Sequence, residues 1–193
     1  VENLGKEEAE RIHKKVSKIF EDHEVAGVKG AVLLPHAEYS IKRIKEIGMK
    51  VGLVTGQSKK AIDETLKKFG LEGYFDSIVT RESPGRMKPH PDQIIHCLEE
   101  LGCKAEEAIS IGDQPRDMIA TKNAGAFAVG LRPDIKKWQE RSRDGNIAEA
   151  LKKIYEPLVK NSDNMVDDLK EFTELVVGMV KNPIQDSLSW STS

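Results

Sequence analysis

Two aspartates four positions apart close one apolar run, Ile109-Ser110-Ile111-Gly112-Asp113-Gln114-Pro115-Arg116-Asp117. An apolar strand that runs into a Gly-Asp turn puts Asp113 at a strand's carboxyl end, where open α/β sheets bind their ligands. Asp117 falls in the first turn of the next helix and can lean back toward the same point. Two converging carboxylates suit Mg²⁺, a hard cation that keeps several waters and takes phosphate oxygen as a further ligand. A plain turn at Asp113 and an acid favouring a helix N-terminus at Asp117 account for the same letters equally well.

A second segment, Val51-Gly52-Leu53-Val54-Thr55-Gly56-Gln57-Ser58, ends a buried strand in a hydroxyl, a glycine and a helix start. The Thr55 hydroxyl and the amides of Gly56 and Gln57 could hold phosphate oxygens at a helix N-terminus. Ordinary capping by Ser58, with Gly56 as turn residue, explains it as well. The third segment is Lys88-Pro89-His90-Pro91. Proline biases the residue before it toward an extended conformation, so Lys88 is held at the entry to a helix. There its ammonium can meet a phosphate and offset the charge of Asp113 and Asp117, although a lone loop lysine is usually just solvated. His36, His90 and His96 have no partner at ligand spacing, and Trp138 beside Lys136-Lys137 suits an amphipathic segment rather than a base-stacking platform.

The elements that must position these groups alternate along the chain. Residues 6–22 and 37–48 read as helices with apolar positions at helical spacing. Strands are predicted at 51–55, 77–80, 108–112 and 126–131, and helices at 58–68, 91–101 and 115–123. Such alternation argues for an α/β fold with a parallel sheet covered by helices on both faces. Helices are also predicted over 145–159, bent or ended near Pro157, and over 165–180. The polar, Ser-rich segment 183–193 is expected to be a flexible tail.

Composition narrows the function classes. The 193 residues carry 30 Lys+Arg against 32 Asp+Glu, a net charge of −2, which argues against a nucleic-acid binder relying on a basic field. The longest apolar run, Ala124–Leu131, is too short for a bilayer, and the charged stretch Glu2–Lys15 is no signal peptide. Cys97 and Cys103 form no metal or redox motif, so the expected home is a reducing cytoplasm.

Taken together, Thr55-Gly56 after a strand, Lys88-Pro89, Gly112-Asp113-x-x-x-Asp117 and Asn123-Ala124-Gly125-Ala126 resemble the haloacid-dehalogenase-like (HAD) superfamily, particularly its phosphoglycolate-phosphatase-like members. The likeness runs from about Pro35 to Leu131 and resumes at Asp163–Phe172, which looks like that family's closing strand and helix. The resemblance implies a Rossmann-like core with a remnant of a helical cap at the N-terminus: residues 1–30 cap remnant, 31–182 core with C-terminal helices, 183–193 tail. It implies Mg²⁺-dependent hydrolysis of a small phosphorylated molecule. Thr55, Gly56 and Gln57 would bind the phosphoryl group with Lys88, which also stabilises its charge, and Asp113 and Asp117 would hold Mg²⁺.

One departure bears on activity. The family's first motif is an Asp-x-Asp pair at the end of the first strand, supplying the nucleophile and the general acid/base. No Asp-x-Asp pair occurs in this sequence, and nothing ahead of the cap remnant is expected to carry one. Removing a nucleophile from a preorganised site can cost on the order of 10⁶ in turnover, and Mg²⁺ binding should weaken with it. Upstream residues outside these 193 would explain the gap, an idea that Val1 as first residue favours. In the family the first strand is central to the sheet. Ala31–Leu34 is expected to fill that slot, pairing Val32–Leu34 with the strand at 51–55 and making His36 a surrogate at the nucleophile's place. Three readings follow: a phosphatase whose listed residues are inactive alone, a non-catalytic phosphate or phosphometabolite binder, and a scaffold whose C-terminal helices meet a partner. An exposed sheet edge would encourage self-association.

Overall fold

The computed structural model describes residues 5–134, 149 and 151–181. The chain opens with α1 (Lys6–Val28), then α2 (Ala37–Glu46), β1 (Gly52–Val54), α3 (Lys59–Phe69), β2 (Ser77–Val79) and α4 (Asp92–Leu101). A 3₁₀ turn at Ala105–Glu107 leads to β3 (Ile109–Gly112), α5 (Pro115–Asn123) and β4 (Phe127–Leu131). A π-helical turn at Leu151–Tyr155 runs into α6 (Glu156–Asn161), and β5 (Asn164–Val166) and α7 (Leu169–Lys181) close the described chain.

Local chemistry sets most boundaries. Ser58 caps α3, its hydroxyl accepting the Ala61 amide at 3.3 Å, and Gly70 ends that helix in the left-handed conformation, φ 63°. Gly102 ends α4 the same way. The helix expected over 6–22 continues through Gly27, a lengthening that packing against α3 and a Glu24 anchor sustain. The helix expected from 165 begins at Leu169, because residues 164–166 pair as a strand with β4 and Asp168 accepts the Lys170 and Glu171 amides at the helix start. Pro157 lies in the first turn of α6, where its missing N–H costs nothing, rather than at a helix end. Residues 135–148, the Trp138 segment among them, and the tail 183–193 lie outside the described residues.

All the strand pairs are parallel, as the alternation requires, yet the strands form two sheets, β1-β2 and β3-β4-β5. Gly52 registers with Ser77, Ile109 with Phe127, and Val129 with Asn164. Period-two alternation fixes the faces. Leu53 and Ile78 turn to α3 and to Ile41 of α2, whereas Val54 and Val79 turn to α4. Ile109 and Ile111 meet α7 and Ile44 and Ile47 of α2, whereas Ala108 meets Ile94, Leu98 and Ala120 of α4 and α5. Thus α2 bridges the two sheets on one face, and the α4–α5 pair bridges them on the other.

The expected filling of the gap by Ala31–Leu34 does not occur. These residues form no strand and pair with neither sheet; Val32 is 86% and Leu34 55% exposed, while only Leu33 packs inward, on the α3 cluster. The physical reason lies at Lys68, whose ammonium takes the carbonyls of Val28, Lys29 and Ala31 at 2.7–2.9 Å and holds the segment beside α3. Pro35 and His36 therefore lead into α2, with His36 at its N-cap in the left-handed region, φ 64°. His36 lies close enough to Asp168 at the start of α7 to help hold that carboxyl below its usual range, an effect due first to the Glu171 amide. The surrogate role drawn for His36 rested on the strand that does not form.

Candidate phosphate site at the strand ends

The carboxyl ends of β1 and β3 point the same way and carry the three segments singled out above. Lys88 joins them. Its Nζ donates to the Val54 carbonyl at 3.0 Å and lies 2.6 Å from Asp117 Oδ1, with both side chains more than four-fifths buried. One ammonium thus ties the last residue of β1 to the helix after β3. Thr55 follows directly, its amide bonded to the Val79 carbonyl at 2.9 Å, so its half-buried hydroxyl is fixed next to that lysine's anchor.

The turn after Thr55 divides its amides. Gln57 donates its N–H to Thr55 Oγ1 at 3.2 Å, whereas the exposed Gly56 amide makes no hydrogen bond among the described residues. The Thr55 O–H and the Gly56 N–H are the donors left for an anion here. Asp117 serves a second purpose, since its Oδ2 accepts the Gln114 amide at 3.2 Å and closes a capping box on α5. Gly112 permits this approach: a Cβ there would stand 2.6 Å from Asp117 Cβ and 2.9 Å from Oδ2. Asp113 is exposed at the turn and has no ion-pair or hydrogen-bond partner among the described residues.

The donor set does not fit a resident Mg²⁺. Asp117 is engaged by Lys88 and Gln114, Asp113 is the remaining acid, and no group of three or more His, Cys, Asp or Glu suited to a metal occurs among the described residues. No chemical step is therefore routed through a metal.

Supports that sequence reasoning missed surround the site. Glu24 reaches from α1 to the Ser58 amide at 2.9 Å and to Arg81 at 2.8 Å, and Arg81 also approaches the Gly56 carbonyl at 3.4 Å. Burial alone would raise the Glu24 carboxyl, but the Arg81 and Ser58 bonds together hold it below its usual value. The Lys88 loop is clamped at its root by Arg86, whose guanidinium grips Asp92 at 2.9 and 3.0 Å. Gly85, at φ 96°, passes so close to Asp92 that a Cβ would sit 2.7 Å from its Cβ. Fully buried Gln93 ties α4 to the Thr80 carbonyl at 2.9 Å. Of these, only Pro84-Gly85 left a mark in the sequence, as a turn. A separate concavity of about 490 Å³ lies along Arg11, Lys14 and Lys18 of α1 and Glu82, and none of the residues singled out above lines it.

Residues 1–131 match the profile of haloacid dehalogenase-like hydrolases. The chain belongs to that family. Among curated relatives of this HAD chain, pyrophosphatase PpaX of Bacillus cereus (strain AH820) is 36% identical over 97 residues, 50% of this chain and 45% of that protein. A putative pyrophosphatase PpaX of Clostridium perfringens is 35% identical over 92 residues, 48% of this chain and 43% of that one. The HAD chain therefore spans less than half the length of these relatives. In fold it is similar to a phosphonoacetaldehyde hydrolase like protein from Oleispira antarctica, with a TM-score of 0.70 at 19% identity over 93% of this chain and 67% of that one. A HAD phosphatase from Thermococcus onnurineus gives 0.62 at 23% identity, over 81% and 64%. No helix among the described residues is long and apolar enough to cross a membrane.

Proposed function

We propose that these residues form the phosphoryl-binding half of a phosphohydrolase active site, and that the 193 residues alone do not turn over phosphomonoesters. The observation that carries this reading is the Lys88 ammonium set between the Val54 carbonyl and the Asp117 carboxylate. A lysine so held is a fixed positive charge with one donor still to give. A tetrahedral anion at this point would take that donor, the Thr55 hydroxyl and the Gly56 amide together. The ligand class is a small phosphorylated molecule; structural neighbours titled as complexes of CbbY from Rhodobacter sphaeroides hold phosphate and xylulose-(1,5)bisphosphate.

Hydrolysis needs a nucleophile in line with the phosphorus, and none of these groups supplies one. Lys88, Thr55 and Gly56 can bind and orient the anion and neutralise charge on its oxygens, which is the electrostatic share of phosphoryl transfer. Asp113, exposed and unengaged, is the residue through which Mg²⁺ would be recruited once further carboxylates are supplied. We read residues 1–30 as the remnant of a cap and 31–182 as the core.

The test is calorimetric titration of the chain with inorganic phosphate, alongside release of p-nitrophenol from p-nitrophenyl phosphate. Saturable heat that disappears in Lys88→Ala, with no turnover, is expected. Turnover abolished by Asp113→Ala would refute the inactivity, and the absence of heat in the unaltered chain would refute the binding.

A further inference from the structure

The inner edges of the two sheets are unpaired. β1 is bonded only to β2, and β3 only to β4, so each turns a free row of backbone donors and acceptors toward the other. These are not ordinary solvent edges. Leu53, Val54 and all of β3 are half-buried, and α2 covers the gap on one face while α4 and α5 cover it on the other. Ile94 and Leu98 of α4 belong to one cluster with both Val54 and Ala108, which keeps the edges under the width of a single helix. A helix with its side chains is about 10–12 Å across. Two strand spacings of about 4.8 Å each fill that width, leaving room for one further strand.

The edges also lack what normally protects an edge. Natural edge strands are blunted by Lys, Pro or bulges, whereas β1 reads Gly-Leu-Val and β3 reads Ile-Ser-Ile-Gly. Buried backbone groups without partners are costly, so such a gap favours an occupant.

We propose that this gap is a docking slot for one parallel strand of four or five apolar residues, donated by another polypeptide and ending in a carboxylate. Orientation follows from the flanking strands, which are both parallel to their neighbours and end together at Thr55 and Gly112. The apolar requirement on both faces comes from Ile41 and Ile44 on one side and Ile94 and Ala120 on the other. The terminal acid is set by Lys88, which spends two of its three donors on Val54 and Asp117. This chain's own extended apolar segment is unsuited, since Lys68 ties its carbonyls beside α3, and the same holds for a second copy. Recognition is of the strand-addition kind, with main-chain bonds for affinity and alternate side chains for selectivity.

The test uses the 193-residue chain and a fluorescein-labelled, C-terminally amidated peptide, Lys-Lys-Ile-Val-Val-Val-Asp. Fluorescence anisotropy should show saturable binding, and hydrogen exchange should slow at least tenfold at amides of both 52–55 and 109–112. A peptide with Asn in place of Asp should bind about tenfold more weakly, a difference that Lys88→Met erases. Replacing alternate valines by proline should abolish binding, because proline cannot donate to a ladder. Absence of saturable binding overturns the proposal. Protection of a single edge, or slow exchange at both edges before any peptide is added in a chain that sediments as a dimer, overturns it too. None of these readouts involves phosphate, so failure here is separable from failure of phosphate binding.

Discussion

Lys88 Nζ stands 2.6 Å from Asp117 Oδ1, and this single ion pair connects two sheets that share no hydrogen bond. With 17% and 14% of their side chains exposed, the partners exchange most of their hydration for each other. Either one left alone would keep a charge with little water and no counterpart.

Lys88→Met and Asp117→Asn should therefore each cost about 1–3 kcal/mol, the penalty for a poorly solvated charged group without its partner. The double variant should lose less than the sum of the two. Urea denaturation of all four proteins checks this as a double-mutant cycle; strict additivity would show that the two side chains do not interact in solution.

Gly112→Ala should also destabilise, by about 1–3 kcal/mol, through overpacking. The new methyl would meet Asp117 Cβ at 2.6 Å, and that helix is held by its own capping box, so neither side yields cheaply. Because the clash pushes Asp117 from Lys88, phosphate affinity should change along with stability. A variant of unaltered stability would mean that the β3–α5 turn is looser than its geometry.

The Arg86–Asp92 clamp has a defined pH range. Hydrogen bonds from the Arg86 side chain, then from its amide, lower the Asp92 carboxyl from 3.8 to about 2. Its unfolded value is near 3.9, so the folded state binds the proton less readily than the unfolded chain. The clamp's contribution is complete above about pH 4, declines as pH falls, and is gone below about pH 2. A carboxyl-carbon NMR titration should place the Asp92 midpoint near 2 and return it toward 4 in Arg86→Ala. A midpoint near 4 in the unaltered chain would mean that the loop at the root of Lys88 is not clamped.

Much of this fold was legible from short-range chemistry. Gly70 after α3, the Ser58 cap and the β-branched runs at 51–54 and 127–131 each carry a local signal that the structure obeys. The relation of Lys88 to Asp117 was readable as an expectation because proline, glycine and strand ends fix where those side chains start. The fate of Ala31–Leu34 was not readable. An apolar tetrapeptide before a proline suits a buried strand, and only the long-range grip of Lys68 on three carbonyls turns it aside. Glu24–Arg81 and Arg86–Asp92 escaped for a similar reason, since charged residues on helices and loops read as solvated until the fold supplies a partner. The helix start at Leu169 was misplaced because Met165 and Val166 satisfy helical spacing as well as a strand that pairs with β4.

The central claim is that Thr55, Gly56 and Lys88 converge on one anion. Backbone NMR of the ¹⁵N-labelled chain during titration with inorganic phosphate tests it most directly. The account predicts saturable shifts at the amides of Thr55 and Gly56 and at the Lys88 loop, all with one dissociation constant, and their loss in Lys88→Ala. Shifts confined to the basic face of α1, or none at Gly56, would contradict it.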